Sequence, residues 1–243
     1  MRGAGSRKTA TGSCATDRRP PRAETEPAGA DILMTARRDS LSQIAAALDG
    51  ARVFVFGDII LDRFCEGSVS RVSREAPIPI LVAESESGSL GGAGLVWRNL
   101  ASLGLKPGLG GIVGADGAGR EIQRLLGAGG RRRSALVAGS EWSTPVKHRF
   151  LAQGQQLLRV DSGATLASGH AARAEAHRAA RRSLKDFQAV ILSDYGYGLF
   201  DSSLTPKLVA EARRRGRLVF VDPRGHDWTP YRGAHWCLSL IHI

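Results

Sequence analysis

The chain has 243 residues, enough for one sizeable domain or two small ones, and its apolar fraction of 42% can supply a core. The net charge of +11 suggests a nucleic-acid or membrane partner, but the arginines are spread along the chain, and their densest cluster in the globular part, at 131–133, has no aromatic neighbours that could stack on bases. No apolar run reaches the roughly 18 residues of a membrane helix, so we expect neither partner and interpret the positive charge as a solvated surface.

Cysteine usage indicates a reducing, cytoplasmic location. Cys14, Cys65 and Cys237 are far apart and form no Cys-x-x-Cys pair, so their spacing indicates neither a zinc site nor a disulfide framework. The N-terminus is charged and lacks the apolar stretch of a secretory signal. Residues 1–38 have few large apolar side chains and predict a disordered basic tail, with Met34 as a candidate start. The alternative for this tail, a mitochondrial-type presequence, is disfavoured by its interspersed acidic residues.

From about residue 40 the pattern is that of a globular domain, which we place at 39–236. Ser40 predicts the cap of a short helix that runs to Ala47. The apolar run at 53–56 is typical of a parallel strand buried on both faces, and similar runs at 189–192 and 218–221 each lead into an Asp. Helical patterns lie between them, at 92–103, 116–126, 171–187 and 204–215. This alternation predicts an α/β fold with a mostly parallel sheet.

Two segments interrupt the alternation. Residues 64–84 contain Pro77 and Pro79 among β-branched neighbours, and residues 146–161 have the pattern of two short strands around Gly154. Neither segment has a helical period. We therefore expect them to form a small antiparallel sheet that is inserted into the α/β domain.

Polar residues follow the predicted strands at one edge of the sheet. Asp58 and Asp62 come directly after the first strand, and ligands of open α/β sheets bind beyond the carboxyl ends of the strands. Asp194 and Asp222 end two further strands at the same edge. Each Asp alone is as easily a turn or helix cap, but together they favour a site for a polyhydroxylated ligand.

Glycines suggest where that ligand approaches the backbone. Gly91 and Gly92 precede a helix, and a helix N-terminus offers free N–H groups to an oxygen-rich ligand, although many such pairs are only turns. The glycines at 108–114 do not have the spacing Gly-x-Gly-x-x-Gly, so we interpret them as a strand that leads into a helix cap. The sequence contains no Walker A, Gly-x-Ser-x-Gly or His-Glu-x-x-His motif, which disfavours P-loop NTPases, α/β-hydrolases and zinc proteases.

Taken together, these motifs resemble the PfkB/ribokinase-like carbohydrate kinases. Within that superfamily they are most similar to the D-glycero-β-D-manno-heptose 7-phosphate kinases, including the kinase part of the bifunctional heptose kinase/adenylyltransferases. The resemblance spans about residues 48–234. Its most specific stretches are Ser70-Arg71-Val72-Ser73-x-Glu75-Ala76-Pro77 and Gln155-Gln156-Leu157-Leu158-Arg159-Val160-Asp161; Gly57-Asp58-x-x-Leu61-Asp62, Gly91-Gly92-Ala93, Leu192-Ser193-Asp194-Tyr195, Asp222-Pro223-x-Gly225 and Tyr231-Arg232-Gly233-Ala234 complete it.

The resemblance implies a Rossmann-like domain with a small β lid formed by 64–84 and 146–161, through which such kinases often form homodimers. It implies ATP-dependent phosphorylation, with Mg²⁺, of a sugar phosphate at O1 in ADP-heptose and lipopolysaccharide core synthesis. It places substrate contacts at Asp58, Asp62, Gly91, Gly92 and Asp194, and suggests that Lys147 and Arg149 hold the sugar or its phosphate. It places Asp222 and Arg224 on the nucleotide side or in a structural role.

The sequence also departs from the family pattern. Leu95 stands at the Asn of Gly-Gly-Ala-Ala-Asn, Tyr197 and Arg224 stand at two lysines, and Gly154 stands at the Asn before Gln-Gln. After Ala234 the family continues with Asn-x-x-Glu, which serves Mg²⁺, and Gly-Ala-Gly-Asp, which carries the base. Here neither motif occurs. We therefore expect that the C-terminal part of the fold is missing, that 237–243 is a non-native end, and that the fragment is inactive alone.

Three alternatives remain at this stage. The chain could be another sugar or nucleoside kinase of the same superfamily, a noncatalytic remnant that binds sugar phosphate, or a basic nucleic-acid-binding protein. Competition of heptose 7-phosphate with ribose or fructose separates the first from the heptose kinase, and binding of sugar phosphate without ATP marks the second. A steep salt dependence of DNA binding would mark the third.

Overall fold

The main sheet has six parallel strands in the computed structural model, which describes residues 41–167 and 169–238. The elements follow one another as α1 (Leu41–Leu48), β1 (Val53–Gly57), β2 (Ile59–Val72), β3 (Pro79–Gly92), α2 (Ala93–Ser102), β4 (Gly108–Gly114), α3 (Gly117–Arg132), β5 (Ala135–Gly139), β6 (Val146–Ala152), β7 (Gln155–Ser162), α4 (Ala171–Ser183), β8 (Ala189–Ser193), α5 (Thr205–Arg214), β9 (Leu218–Asp222) and β10 (Trp236–Cys237). The strand order β10-β9-β8-β1-β4-β5 confirms the α/β fold with a mostly parallel sheet.

Helices cover the central strands on both faces. On one face, α4 and α5 pack against a core cluster that includes Phe54, Phe56 and Leu192. On the other, α2 and α3 pack against a cluster that includes Val55 and Leu109. Because successive side chains of a strand point to opposite faces, a strand covered on both faces is apolar throughout. The apolar run at 53–56 reflects this position of β1 in the middle of the sheet.

A second sheet of four strands, in the order β3-β2-β6-β7, forms the lid. The sequence predicted an antiparallel sheet, and this is wrong for the central pair, because β2 and β6 are parallel. Both strands start beside the main sheet, where the Leu61 amide donates to the Pro145 carbonyl at 2.9 Å, and both run away from it. The outer strands are antiparallel to the central pair: β3 runs antiparallel to β2, and β7 runs antiparallel to β6.

The lid strands are longer than the sequence pattern suggested. β2 and β3 have 14 residues each, and β2 begins at Ile59, separated from β1 by Asp58 alone. Asp62 therefore lies within a lid strand. At the other end of the described region, β10 extends across the domain boundary predicted after 236. The predicted tail 1–38 and the residues 239–243 lie outside the described residues.

No helix in the described part of the chain combines the length and the apolar character that crossing a membrane requires.

Candidate functional site

The polypeptide passes from the main sheet into the lid through one buried residue. The Asp58 amide donates to the Ser193 carbonyl at 3.1 Å, and the Asp58 carbonyl accepts from the Ala93 amide at 2.9 Å. Gly57 has no room for a side chain, since a Cβ there would lie 2.2 Å from the Ser193 carbonyl oxygen. The end of β8, the start of α2 and the start of the lid are thus fixed together at the carboxyl edge of the sheet.

The predicted glycine pair shapes this junction. A Cβ on Gly91 would lie 2.2 Å from Oδ2 of Asp62, so the missing side chain leaves the space that the carboxylate occupies. Gly92 has φ +55°, and a Cβ on it would lie 2.4 Å from the Asp58 carbonyl oxygen. Glycine tolerates both the positive φ and the close approach. The pair therefore brings the start of α2 against the Asp62 carboxylate and the Asp58 backbone.

Lys147 and Arg149 lie on the same face of the lid as Asp62. In the register of β2 and β6, Asp62 is paired with Lys147 and Phe64 with Arg149, so these side chains share one face. Arg149 Nη1 donates to Asp62 Oδ1 at 2.5 Å, and its guanidinium carbon lies 5.4 Å from the ring centroid of Phe64. The structure thus places Asp62, Gly91, Lys147 and Arg149 together as one group.

Tyr195 links the lid to the main sheet. Lys147 Nζ lies 5.6 Å from the centroid of the Tyr195 ring. Tyr195 belongs to the loop 194–198, which follows β8. Burial raises the pKa of its hydroxyl, and the charges of Asp222 and Asp62 add to the effect. Tyr195 belongs to the motif Leu192-Ser193-Asp194-Tyr195, but its role was not predicted from the sequence; its position directly after a strand-terminal Asp was the available signal.

Asp58 is buried, which its sequence position did not reveal. Its side chain is enclosed, with 4% of the residue exposed, and Oδ2 accepts from the amides of Tyr195 at 2.8 Å and Tyr197 at 3.2 Å. Burial raises the pKa of Asp58 to about 7, against the two amides and helped by the charge of Asp194. A sugar hydroxyl would reach this carboxylate only if the loop 194–198 moved. The predicted direct contact of Asp58 with substrate stays a prediction.

Asp194 and Asp222 lie side by side at the ends of β8 and β9. The Asp194 amide donates to the Asp222 carbonyl at 3.0 Å. Oδ1 of Asp194 accepts from the Gly196 amide at 2.7 Å, and Oδ2 accepts from the Tyr231 hydroxyl at 2.6 Å. Burial raises the pKa of Asp222, and the charge of Asp194 raises it further. Tyr231 is therefore a part of the site to which sequence reasoning assigned no role.

The predicted magnesium has no fitting site among these residues. In residues 41–167 and 169–238, no three or more His, Cys, Asp or Glu side chains are arranged so that they could hold a metal ion. The Asp58 and Asp194 carboxylates accept hydrogen bonds from loop amides and from the Tyr231 hydroxyl, and the charge of Asp194 acts on Asp222. Arg224 is exposed, and its aliphatic part faces Gly196, where a Cβ would lie 3.4 Å from the Arg224 Cγ.

Relatives of known name match most of the chain, although no family model matches it. The Bifunctional protein HldE of Paramagnetospirillum magneticum is 43% identical over 187 residues, which cover 77% of this chain and 38% of that protein. The HldE of Rhodospirillum rubrum is 42% identical over 196 residues, 80% of this chain and 39% of that protein. The D-beta-D-heptose 7-phosphate kinase of Bordetella bronchiseptica is 41% identical over 187 residues, 76% of this chain and 57% of that protein. The chain thus spans about two fifths of the bifunctional relatives.

Solved structures of sugar kinases have the same fold. Phosphofructokinase-2 from Escherichia coli, in complex with potassium, superimposes with a TM-score of 0.54 at 20% identity, over 72% of this chain and 54% of that chain. A microbiome-derived acarbose kinase gives a TM-score of 0.52 at 17% identity, over 77% of this chain and 60% of that chain.

Proposed function

Because sequence and fold make this chain a homologue of the PfkB/ribokinase-like carbohydrate kinases, we propose that it is the sugar-binding part of an enzyme that phosphorylates a sugar phosphate with ATP. The name of one relative, D-beta-D-heptose 7-phosphate kinase, favours a heptose 7-phosphate as the substrate. The motif resemblance further implies D-glycero-β-D-manno-heptose 7-phosphate with O1 as the acceptor, ATP as the phosphoryl donor, and a place in ADP-heptose and lipopolysaccharide core synthesis.

The Asp62–Arg149 pair, seated against Gly91 at the carboxyl edge of the sheet, is the observation that carries this proposal. A carboxylate held in one orientation by an arginine can accept hydrogen bonds from sugar hydroxyls through its free lone pairs. Arg149 keeps further donors for a phosphate oxygen, because a guanidinium has five N–H groups in a planar fork. Lys147 adds a second positive charge on the same face. The group therefore suits a ligand with both hydroxyls and a phosphate.

We propose that these residues contribute positioning and leave the chemical step to others. Phosphoryl transfer depends on orientation, on charge stabilisation and on a group that accepts the proton of the attacking hydroxyl. In the family that base belongs to Gly-Ala-Gly-Asp, which this sequence does not contain. On the nucleotide side, Asp222 and Arg224 are the candidates for contact with ATP. We expect the 243-residue chain to bind sugar phosphate and to show no ATP turnover.

Calorimetric titration of the purified chain with heptose 7-phosphate tests the substrate, with ribose and fructose 6-phosphate as competitors. Asp62→Asn and Arg149→Gln should each weaken binding about 10- to 100-fold, since hydrogen bonds to charged groups contribute about 1.5–3 kcal/mol. Arg63→Gln is the matched control. Arg63 is the next residue on β2, faces away from the site and pairs with Glu121 at 2.8 Å.

The outcomes separate the alternatives. Equal losses in Arg149→Gln and Arg63→Gln would contradict the assigned site. Preference for ribose or fructose 6-phosphate would favour another kinase of the superfamily. Release of ADP by the chain itself would contradict its inactivity, and binding without turnover agrees with a sugar-phosphate-binding remnant as well as with part of a larger enzyme.

We propose that the chain forms a homodimer through the lid. β7 is exposed along its whole length, and it carries Leu157, Leu158 and Val160, of which 46%, 56% and 46% is exposed. An apolar strand surface of this kind is typical of an interaction site. The cytoplasmic location remains a prediction from the sequence.

A further inference from the structure

Tyr231 is a buried polar residue that the proposed sugar contacts do not use. It ends the short 3-10 helix Thr229–Tyr231, is 5% exposed, and packs against the Phe200 ring at 5.6 Å between centroids. Its hydroxyl donates to Asp194 Oδ2 at 2.6 Å. Burial and this hydrogen bond raise the pKa of Tyr231 above its ordinary value, so the hydroxyl remains a donor at any working pH.

Asp194 transmits this contact to the loop 194–198. Its other carboxylate oxygen accepts from the Gly196 amide, and the amides on either side, those of Tyr195 and Tyr197, donate to Asp58. The loop is therefore held by two carboxylates, that of Asp58, which lies outside the loop, and that of Asp194, which belongs to it. These hydrogen bonds position the loop backbone at Tyr195, whose ring faces Lys147 of the lid.

Several charged or titratable groups surround this pair of carboxylates. Asp222 on β9 and Cys237 on β10 lie on the main sheet, Asp62 and Lys147 lie on the lid strands, and the Arg224 side chain faces Gly196. Within residues 41–167 and 169–238, the donors to the two carboxylates are the three loop amides and the Tyr231 hydroxyl.

We propose that Tyr231 and Asp194 are positioning residues of the sugar-phosphate site: the Tyr231 hydroxyl anchors Asp194, and with Asp58 this anchor holds the loop 194–198 and its Tyr195 against Lys147. The inference rests on the proposed function for the identity of the ligand. The hydrogen bonds of Asp58 and Asp194 to the loop 194–198 and to Tyr231 come from geometry alone.

The buried Asp58 carboxyl gives this arrangement a measurable property. Burial and the charge of Asp194 raise the pKa of Asp58 to about 7, so Asp58 keeps its proton to a higher pH than an exposed Asp would. Loss of that proton places a second charge near Asp194 and should loosen the loop. The affinity for sugar phosphate should therefore fall as the pH rises through the titration of Asp58.

Two variants should shift this titration in opposite directions. Tyr231→Phe keeps the packing on Phe200 and removes the donor that stabilises the negative charge of Asp194, so Asp58 should hold its proton to higher pH. Asp194→Asn removes that negative charge, so Asp58 should lose its proton at lower pH. A merely structural role would lower stability in both variants without moving the titration apart. Trp228→Phe is the control, because Trp228 is on the adjacent segment and donates only to the Gly225 carbonyl at 3.1 Å.

Selective ¹⁵N-tyrosine labelling reads the titration without any ligand, because the chain has only three tyrosines. The amide signals of Tyr195 and Tyr197 should titrate together near pH 7, the value to which burial raises the pKa of Asp58. The Tyr231 amide donates to the Trp228 carbonyl at 3.0 Å and should not follow them. Tyr231→Phe should move the common midpoint to higher pH, Asp194→Asn should move it to lower pH, and Trp228→Phe should leave it in place.

Calorimetry with heptose 7-phosphate at pH 6 and 8 then connects the pair to the site. We expect Tyr231→Phe to weaken binding about tenfold at pH 6, as loss of one hydrogen bond to a charged group does, and to weaken it less at pH 8, where the wild type has lost the Asp58 proton and the variant still holds it. Separate titrations of Tyr195 and Tyr197, or shifts in one direction for both variants, would overturn the anchor. If the anchor titrates as described and the wild-type chain binds no sugar phosphate, the proposed function is wrong and the anchor stands; unchanged affinity in Tyr231→Phe would overturn its positioning role.

Discussion

At the scale of single residues, the buried Asp58 makes stability depend on pH. Its pKa is raised from 3.8 in an unfolded chain to about 7. The folded state therefore binds more protons than the unfolded state between these values, and the stabilisation present below pH 3.8 is lost as the pH rises through 7. Burial lowers the pKa of His177, so this residue has the opposite effect: its contribution to the free energy of unfolding is lost as the pH falls below 6.5.

Asp58→Asn isolates the contribution of this residue. The amide oxygen can still accept from Tyr195 and Tyr197, but the side chain no longer titrates. We expect the free energy of unfolding of the wild type, relative to Asp58→Asn, to fall between pH 5 and pH 8, whereas His177 affects both proteins equally. Urea unfolding at several pH values measures this difference, and a difference that is constant over the range would contradict the buried, protonated Asp58.

The residues of the site were predictable in part. Asp62 and the Gly91–Gly92 pair follow from strand ends and glycine spacing, and the structure places them together. The burial of Asp58, the Arg149–Asp62 pair and the Tyr231–Asp194 hydrogen bond were not predictable, because each depends on partners far away in the sequence. Asp58 and Tyr195, for example, are 137 positions apart.

At the scale of elements, the strand and helix positions were mostly predictable, and the pairing of the lid strands was not. Apolar runs locate β1, β8 and β9 within one or two residues, because these strands are largely buried in a parallel sheet. The parallel pairing of β2 and β6 joins residues about 85 positions apart, such as Asp62 and Lys147. Local periodicity contains no information on such a register.

One capping residue joins α3 to the segment before β6. Asp116 Oδ1 accepts from the Gly119 amide at 2.7 Å and from Thr144 Oγ1 at 2.8 Å, and Oδ2 accepts from the Thr144 amide at 2.8 Å. Partial burial opposes ionisation of Asp116, but these donors outweigh it and lower its pKa. This stabilisation is present above pH 3.8 and is lost as the pH falls through the lowered pKa.

Asp116→Ala should lower the free energy of unfolding by about 2 kcal/mol, the upper part of the range for helix N-caps, because the Thr144 contacts are lost as well. Asp116→Asn keeps acceptors for the cap and should cost less. Denaturant unfolding at pH 7 measures both values. Equal losses in the two variants would show that the cap hydrogen bonds do not stabilise this junction.

At the scale of the whole molecule, the residues that the structure describes leave β8, β9 and β10 partly uncovered on one face. On the side of α2, the strands β8, β9 and β10 border a cavity of about 430 Å³ that is lined mainly by apolar residues, namely Val96, Ile191, Phe220, Val221, Trp236 and Leu238. Trp236 is 42% and Leu238 61% exposed. An apolar surface beside an open strand edge promotes association between chains.

Two substitutions distinguish this surface from the proposed dimer face of the lid. Trp236→Glu should reduce concentration-dependent aggregation without changing a specific dimer, whereas Leu158→Glu on β7 should convert a dimer into monomers. Light scattering coupled to gel filtration reports both effects. If Leu158→Glu leaves the molar mass unchanged while Trp236→Glu lowers it, the association occurs through the main sheet and the lid is not the dimer face.

The position of β1 in the middle of the sheet has a consequence for how the chain folds during synthesis. β1 pairs with β4, which follows after about 50 residues, and with β8, which follows after about 135. Contacts of such long sequence separation form late, because a large loop must be closed before they are gained. β1 therefore waits with one edge unpaired until β8 is made. Since Asp58 acquires its tyrosine amides only at that step, the lid, the loop and the glycine turn become a binding site in a single late event.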